Sequence, residues 1–543
     1  MTRLLPSDLR TWTAVVIAAA VTAYAASLFN DLLAADLLLI DVTADGHDPT
    51  QVGGLTRWWL AAQTTLFGLH PFGFRLTGLL LHAINSCLLL LVARQWTSST
   101  TAGLAAVLFA VWPSGSQAIL SLPAHGALLG TGLLLLGLYF TQISGHRTGH
   151  RTLATLGLVV TTVLALHTTV QVAALPGLML MSHRRRNARR LPPPVLAMHL
   201  LGYGSVVVWL LSRLPAWSGS GALVDILSNP LALLPTTQRV MMGLDQGWHY
   251  AQLLVMPIGL SADYGYGVID LSTTMVTGLQ AGLLLALLAM ALLRFIRLAE
   301  LTMLGVLWVA ATLLPVSNIL LTGEAAFSEA YLYLPMVGFS LSLAACLVSL
   351  SLASLSWRTT APVVRRAVVG LLLVFMCGRT MWRCTDWQNA ERMWERTVAT
   401  QPTSARAHDA LGTAMYVRGA FVAAEARHRR GIGIYRRFST AHYNLGLSLY
   451  AQEKWAEALK AFERTCQLQP QWGAAHLNRG ATLFRQGQWM PAADAYRLAA
   501  ELRPAWHVPW LNLADALRAA GDAAAAAAAI EQAKQLGAAL PFE

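Results

Sequence analysis

The chain has 543 residues, 55% of them hydrophobic and only 12% charged, with a mean hydropathy of +0.50. That is too apolar for a soluble protein of this length. The net charge of +12 would suit a nucleic-acid partner, but its placement argues against that class: the arginines gather beside apolar runs, where they act as topology signals.

In chain order, Arg3 and Arg10 precede the first apolar stretch, Thr11 to Leu28, and place the N-terminus in the cytoplasm. No small-x-small cleavage site fits this stretch better than continuation as an anchor. An acidic loop follows from Asn30 to about Gly54, with Asp31, Asp36, Asp41, Asp45 and Asp48. Further spans are expected at about Leu76 to Val92, ending at Arg94, then at Thr101 to Trp112, stopped by Pro113, and at Gly126 to Ile143. After the basic stretch His146 to Arg151, two spans pass out and back, meeting near His167. They finish at the cluster Arg184, Arg185, Arg186, Arg189 and Arg190. The seventh span covers about Val195 to Leu211. A long segment to Asp270 then holds another helix and the interfacial aromatics Trp248, Tyr250, Tyr264 and Tyr266. The eighth span, Met275 to Leu293, ends at Arg294 and Arg297. The ninth runs from Leu301 to about Leu314, the tenth from Tyr331 to about Leu352, and the eleventh from Ala367 to Met376. Nearly all basic clusters, including Arg365 and Arg366, fall on one side of this layout. The acidic loop, Asp263, Glu324 and Glu329 fall on the other.

From Ala390 the pattern changes. Ala390, Ala424, Ala458, Ala492 and Ala526 share one slot of a 34-residue period, the spacing of tetratricopeptide repeats. Gly412, Gly446 and Gly480 share a second slot, and His408, His442 and His476 a third. Asn444, Asn478 and Asn512 share a fourth, while Pro402, Pro470 and Pro504 close units. The small residues let paired helices approach, and proline ends the second helix. A lone helix, Trp387 to Ala399, and four hairpins from about Ser404 to Leu540 are expected. The alanine tract Ala523 to Ala529 then belongs to a capping repeat. The fold is therefore expected to be all-α: a polytopic membrane domain of about eleven transmembrane helices, residues 1–380, followed by a tetratricopeptide-repeat α-solenoid, residues 381–543. An odd span count places the repeats on the acidic side. Their groove, rich in His, Asn, Tyr and Arg, reads as a protein-docking surface, with a structural stalk as the alternative.

The segments Leu66-Phe67-Gly68-Leu69-His70-Pro71-Phe72-Gly73-Phe74 and Leu80-Leu81-His82-Ala83-Ile84-Asn85 carry a family resemblance. So do Ser261-Ala262-Asp263-Tyr264, Leu314-Pro315-Val316-Ser317-Asn318, Glu329-Ala330-Tyr331-Leu332-Tyr333-Leu334-Pro335 and Ser404-Ala405-Arg406-Ala407-His408. In this order the chain resembles the transmembrane and tetratricopeptide-repeat O-mannosyltransferases and their bacterial relatives, of the GT-C glycosyltransferase class. The resemblance implies a glycosyltransferase that takes a sugar from a polyprenyl-phosphate carrier at the outer membrane face. It also implies a carboxylate in the first external loop that serves the acceptor hydroxyl, and a cation for the leaving phosphate. The chain departs from the family at Asn30, where the first of two adjacent acids is an amide, and at Gln117, His125 and Ala330, where Glu, Arg and Arg would stand.

Asp31 matches the second acid of that pair and reads either as the catalytic base or as a solvated interfacial carboxylate. Arg57 and Arg75, with Arg239 as a third, are candidates for the donor phosphate or for anchoring at headgroups. Glu329, at the start of a span, is a site candidate or a helix N-terminal charge. His82 lies inside a span, where a hydrogen-bonded structural histidine is favoured over a catalytic one. The five cysteines have no metal spacing, and Cys384 and Cys466 read as free thiols. Asp41 to Asp48 resembles half of a calcium loop but has Val52 where the closing Glu belongs. No cofactor is expected, with a divalent metal at that loop as the open alternative. The expected protein sits multi-pass in a bacterial inner membrane with periplasmic repeats. It transfers a sugar from a polyprenyl-phosphate lipid to an exported or envelope protein docked on the repeats. The alternatives are a catalytically lapsed scaffold that recruits partners, and a ligase or polymerase acting on lipid-linked saccharides.

Overall fold

The computed structural model of the protein describes residues 7–32, 54–144, 151–174, 226–269, 300–319, 322–323, 325–349 and 361–537, with isolated positions at 204, 280, 282–283 and 285. Among these residues every regular element is helical. They form two compact units, one of residues up to 265 and 269–396, the other of residues 266–268 and 397 onward. Most of the acidic loop and of the seventh and eighth spans, the Arg184 cluster, and Arg294 with Arg297 lie outside the described residues.

In the first unit, α1 (Ser7–Tyr24) tightens into a 3-10 turn over Ala25–Phe29. Next come α2 (Gly54–Phe67), α3 (Pro71–Ala93), α4 (Ser99–Val111), the short α5 (Ser116–Leu120), α6 (His125–Ser144) and α7 (Arg151–Leu166). Then follow α8 (Thr236–Val255), α9 (Glu300–Leu313), α10 (Tyr333–Ser349) and α11 (Ala361–Asp386). Four stretches are long and apolar enough to cross a membrane among the described residues: Ser7–Phe29, Pro71–Ala93, Leu122–Gln142 and Glu329–Ser349. A fifth is the pair Ser99–Val111 and Pro113–Leu120 if its 52° bend counts within one span. Leu156–Leu166 and Leu301–Val316 are shorter apolar helices.

Three elements differ from the sequence expectation. Pro71 starts α3 earlier than Leu76, because proline's fixed φ suits the first helical position. Pro113 bends the third span rather than ending it, since α5 resumes beyond it. The last helix continues past Met376 to Asp386, and its arginines find partners in tertiary contacts.

The core of this unit is built around polar groups that satisfy one another inside apolar helices. The helix α4 is buried along nearly its whole length, Thr101 through Val111, as befits a helix that is apolar on every side. His82 on α3 bonds the Tyr333 hydroxyl on α10 at 2.8 Å and the Ala110 carbonyl on α4 at 3.1 Å. The carbonyl can only accept, so Nε2 donates to it and Nδ1 accepts from Tyr333. Asn85 donates to the same hydroxyl at 3.2 Å and to the Leu128 carbonyl on α6 at 2.9 Å. His82 thus ties three helices, Asn85 adds a fourth, and the ring of Tyr24 on α1 packs edge-on against His82 at 5.1 Å. Close approach does the same between α9 and α10. A Cβ on Gly305 would collide with the Gly338 carbonyl, the small-residue contact that lets membrane helices pack backbone to backbone.

The unit boundary between residues 396 and 397 falls within α12 (Ala390–Thr400). Four hairpins follow it: α13/α14 (Ala405–Val417, Phe421–Ile434), α15/α16 (Ser439–Ala451, Trp455–Leu468), α17/α18 (Gly473–Arg485, Trp489–Leu502) and α19/α20 (His507–Ala519, Ala523–Gln535). A Cβ on Gly412 would meet the His428 ring at 2.6 Å, on Gly446 the Phe462 ring at 2.6 Å, and on Gly480 the Tyr496 ring at 2.7 Å. Each glycine therefore seats the ring from its hairpin partner. The turns are periodic as well. Gly419, Gly487 and Gly521 have φ of 86°, 75° and 88°, and Glu453 holds the same slot in the second hairpin at 61°. Ser404 and Asp522 cap their helices by accepting from Ala407 and Ala525 N–H groups.

Candidate active site

The first span ends where several elements meet within the first unit. The Asn30 side chain is buried and donates to the Cys384 carbonyl on α11 at 3.0 Å. The next residue, Asp31, donates its N–H to the Gln388 carbonyl at 2.9 Å. Its own carbonyl accepts from the Arg75 guanidinium. The Asp31 side chain is exposed, while its backbone is held from both sides. Arg75 itself is buried, at 2% exposure, and also donates to the Leu120 carbonyl on α5. The geometry gives Arg75 a positioning role: it ties the start of α3 and the end of α5 to the backbone of Asp31.

A second cluster is built on Glu329, fully buried in the 3-10 turn that leads into α10. One carboxylate oxygen accepts from the Tyr264 hydroxyl at 2.7 Å and from the Ser261 N–H. The other faces Arg383 at 3.1 Å. Arg383 also donates to the Leu260 carbonyl at 3.0 Å and lies 3.6 Å from Asp386, which in turn pairs with Arg396 at 3.0 Å. A buried ion pair needs such satisfaction to offset its desolvation. Burial, and next the adjacent Glu329 carboxylate, hold the Tyr264 hydroxyl well above its ordinary range, so it stays a donor. Gln117 accepts from the Ala330 N–H at 2.9 Å and from the Ser328 hydroxyl at 3.3 Å. It fixes the turn that presents Glu329. His125 is buried against α3, where a Cβ on Gly78 would lie 3.2 Å from its Nε2.

Of the residues singled out by sequence, Asp31, Arg75 and Glu329 gather about the end of α11. His82 belongs to the core hub. Arg57 is exposed in the first turn of α2, and Arg239 is half-buried near the start of α8. Arg383, Asp386, Tyr264 and Arg396 complete the cluster. Their signal in the sequence is slight: an Arg and an Asp three residues apart at the end of an apolar run.

The tetratricopeptide repeat family model matches residues 439–472. Protein O-mannosyl-transferase F38B6.6 of Caenorhabditis elegans is 29% identical over 189 residues, which are 34% of this chain and 26% of that protein. The match therefore spans about a quarter of that relative's length. Among solved structures, the crystal structure of MamA is 17% identical over 27% of this chain and 86% of its own, with a TM-score of 0.27. That of YrrB, described as a TPR protein with an unusual peptide-binding site, is 16% identical over 27% of this chain and 75% of its own, with a TM-score of 0.26. The chain is thus an all-helical protein with apolar helices of membrane-spanning length and a tetratricopeptide-repeat segment, similar over a third of its length to a protein O-mannosyl-transferase.

Proposed function

We propose that the protein is a membrane glycosyltransferase that moves a sugar from a polyprenyl-phosphate donor to a hydroxyl of an exported protein presented by the repeats. Asp31 is the base. It takes the proton from the acceptor hydroxyl as that oxygen bonds the anomeric carbon. The bond from the anomeric carbon to the phosphate oxygen breaks, and the polyprenyl phosphate leaves with the electron pair. The observation that carries this reading is the fixed backbone of Asp31, clamped by Gln388 and Arg75 at the exit of the first apolar helix with its carboxylate exposed. A general base is effective when it is held in place. The similarity to a protein O-mannosyl-transferase supports the reaction class. The basic clusters beside the spans support an inner-membrane protein with periplasmic repeats.

A specific observation favours a second reading, a scaffold that has lost catalysis. Asn30 uses its amide as a donor to the Cys384 carbonyl, so the position of the family's first acid is committed to structure. Transfer of radiolabelled sugar from a polyprenyl-phosphate donor to envelope proteins, in membranes carrying wild type or Asp31→Asn, separates the two. An enzyme should lose about 10²–10⁴-fold in rate with insertion and partner capture intact. Wild-type transfer by the variant would leave the scaffold as the better reading.

A further inference from the structure

At the end of α11 the carboxylates of Glu329 and Asp386 pair with Arg383 and Arg396 at 3.0 to 3.6 Å, and a further cation stands beside these pairs. Arg379 stands one helical turn before Arg383, in the electrostatic field of all four groups. Its Nη1 is buried and has no hydrogen-bond partner among the described residues. A buried guanidinium N–H without an acceptor is costly. The site thus lacks an anion, and the fork of a guanidinium matches a phosphate's oxygens.

The surroundings are apolar and exposed. On α11, Phe375 is 66% and Trp382 62% exposed. On the segment leading to Leu260, whose carbonyl receives Arg383, Met256 is 61% and Ile258 68% exposed. A soluble anion would gain nothing from such side chains, whereas a phosphate on an apolar chain would use both features.

We infer that Arg379 receives the phosphate of an isoprenoid-phosphate ligand, whose chain lies along the exposed apolar side chains of α11 and the 256–258 segment. This rests on the donor reading above and names the residue that grips the donor. Arg379 pairs with the phosphate while the sugar is attached and stabilises the added charge on the phosphate once it leaves.

The test uses the full chain in detergent, with citronellyl phosphate as the probe and binding read by thermophoresis. Citronellol, inorganic phosphate and phosphatidylglycerol serve as competitors. The expected result is binding by wild type that Arg379→Gln weakens by about 10-fold or more, with the weak partition of citronellol unchanged. Arg379→Lys keeps the charge without the fork and should lose several-fold. It decides the matter if the Gln variant elutes aggregated, since undiminished binding by the Lys variant would overturn the assignment. Wild-type affinity in a monodisperse Arg379→Gln variant removes Arg379 from the site and leaves the donor reading standing. Absence of binding by the wild type removes the donor reading as well. Displacement by inorganic phosphate or phosphatidylglycerol as readily as by the probe itself would make this a headgroup or free-phosphate contact and overturn the isoprenoid ligand.

Discussion

Asn30 and Cys384 lie 354 residues apart in the chain, and the amide of the first donates to the carbonyl of the second at 3.0 Å, buried. A carboxylate in this place could only accept, and it would face a carbonyl oxygen. Asn30→Asp should therefore not restore a pair of catalytic acids. It should destabilise the protein by about 1–3 kcal/mol, the cost of a buried polar group left without its partner. Thermal unfolding in detergent checks this, and an unchanged midpoint would show that the amide does not hold α11 against the first span.

That contact marks where sequence reading stops. The period that seats Phe462 on Gly446 is visible because one arrangement recurs every 34 residues, and the apolar spans are visible because a bilayer demands length and hydropathy. Arg383 gave no such signal. Its partner Glu329 is 54 residues away in the chain, and nothing local in either segment reveals the other. Arg75 was legible as a charged residue near a membrane surface. Its burial and its two carbonyl acceptors follow from how α3 meets α5 and the first span, which is tertiary information.

The second hairpin tests the packing of the repeats. A Cβ at Gly446 would already press the Phe462 ring at 2.6 Å, so an indole has no room. Gly446→Trp should part α15 from α16 at a cost of about 1–3 kcal/mol or more. In limited proteolysis of the full chain, cleavage within 439–468 should quicken. Unchanged protection would mean that the hairpin is not closed on this glycine.

The same hairpin should also accept improvement. Glu453 holds the left-handed turn slot that glycine holds in the other three. The strain for an L-residue there is roughly 1–2 kcal/mol, against about 0.5–1 kcal/mol for glycine's greater freedom when unfolded. Glu453→Gly should thus stabilise the repeats by under about 1 kcal/mol, read as a small rise in their unfolding midpoint. A fall would mean that the carboxylate contributes more than the turn costs.

At the other end of the first unit, Asp8 on α1 pairs with Arg94 after α3 at 3.1 Å, while the far ends of the same helices meet through Asp31 and Arg75. The helices α1 and α3 therefore run antiparallel, with Arg94 beside the N-terminus. With basic residues inside, a reporter fused after Asp31 should read as periplasmic, and so should one fused after Glu543. A cytoplasmic reading at the C-terminus would sink the acceptor-presenting role of the repeats.

The first hairpin departs from its neighbours in chemistry. Where later repeats place Phe462 and Tyr496 over the glycine, it places His428, buried, with Nδ1 2.6 Å from the Asp409 carboxylate. The next repeat fills the Asp409 slot with Tyr443. Asn444 adds bonds of 3.3 and 3.2 Å to the two Asp409 oxygens, so the network ties one hairpin to the next. Asp409 cannot be left with half its partners: His428→Phe removes the imidazole donor and should cost about 1–3 kcal/mol. Replacing both, Asp409→Tyr with His428→Phe, copies the pairing of the second hairpin and should recover much of that loss, a coupling that a double-mutant cycle measures directly. Chemical unfolding followed by near-ultraviolet circular dichroism reads all four corners of the cycle. Additive losses would show that the two residues act independently, and that the polar pair is not what fills the place of the aromatic ring.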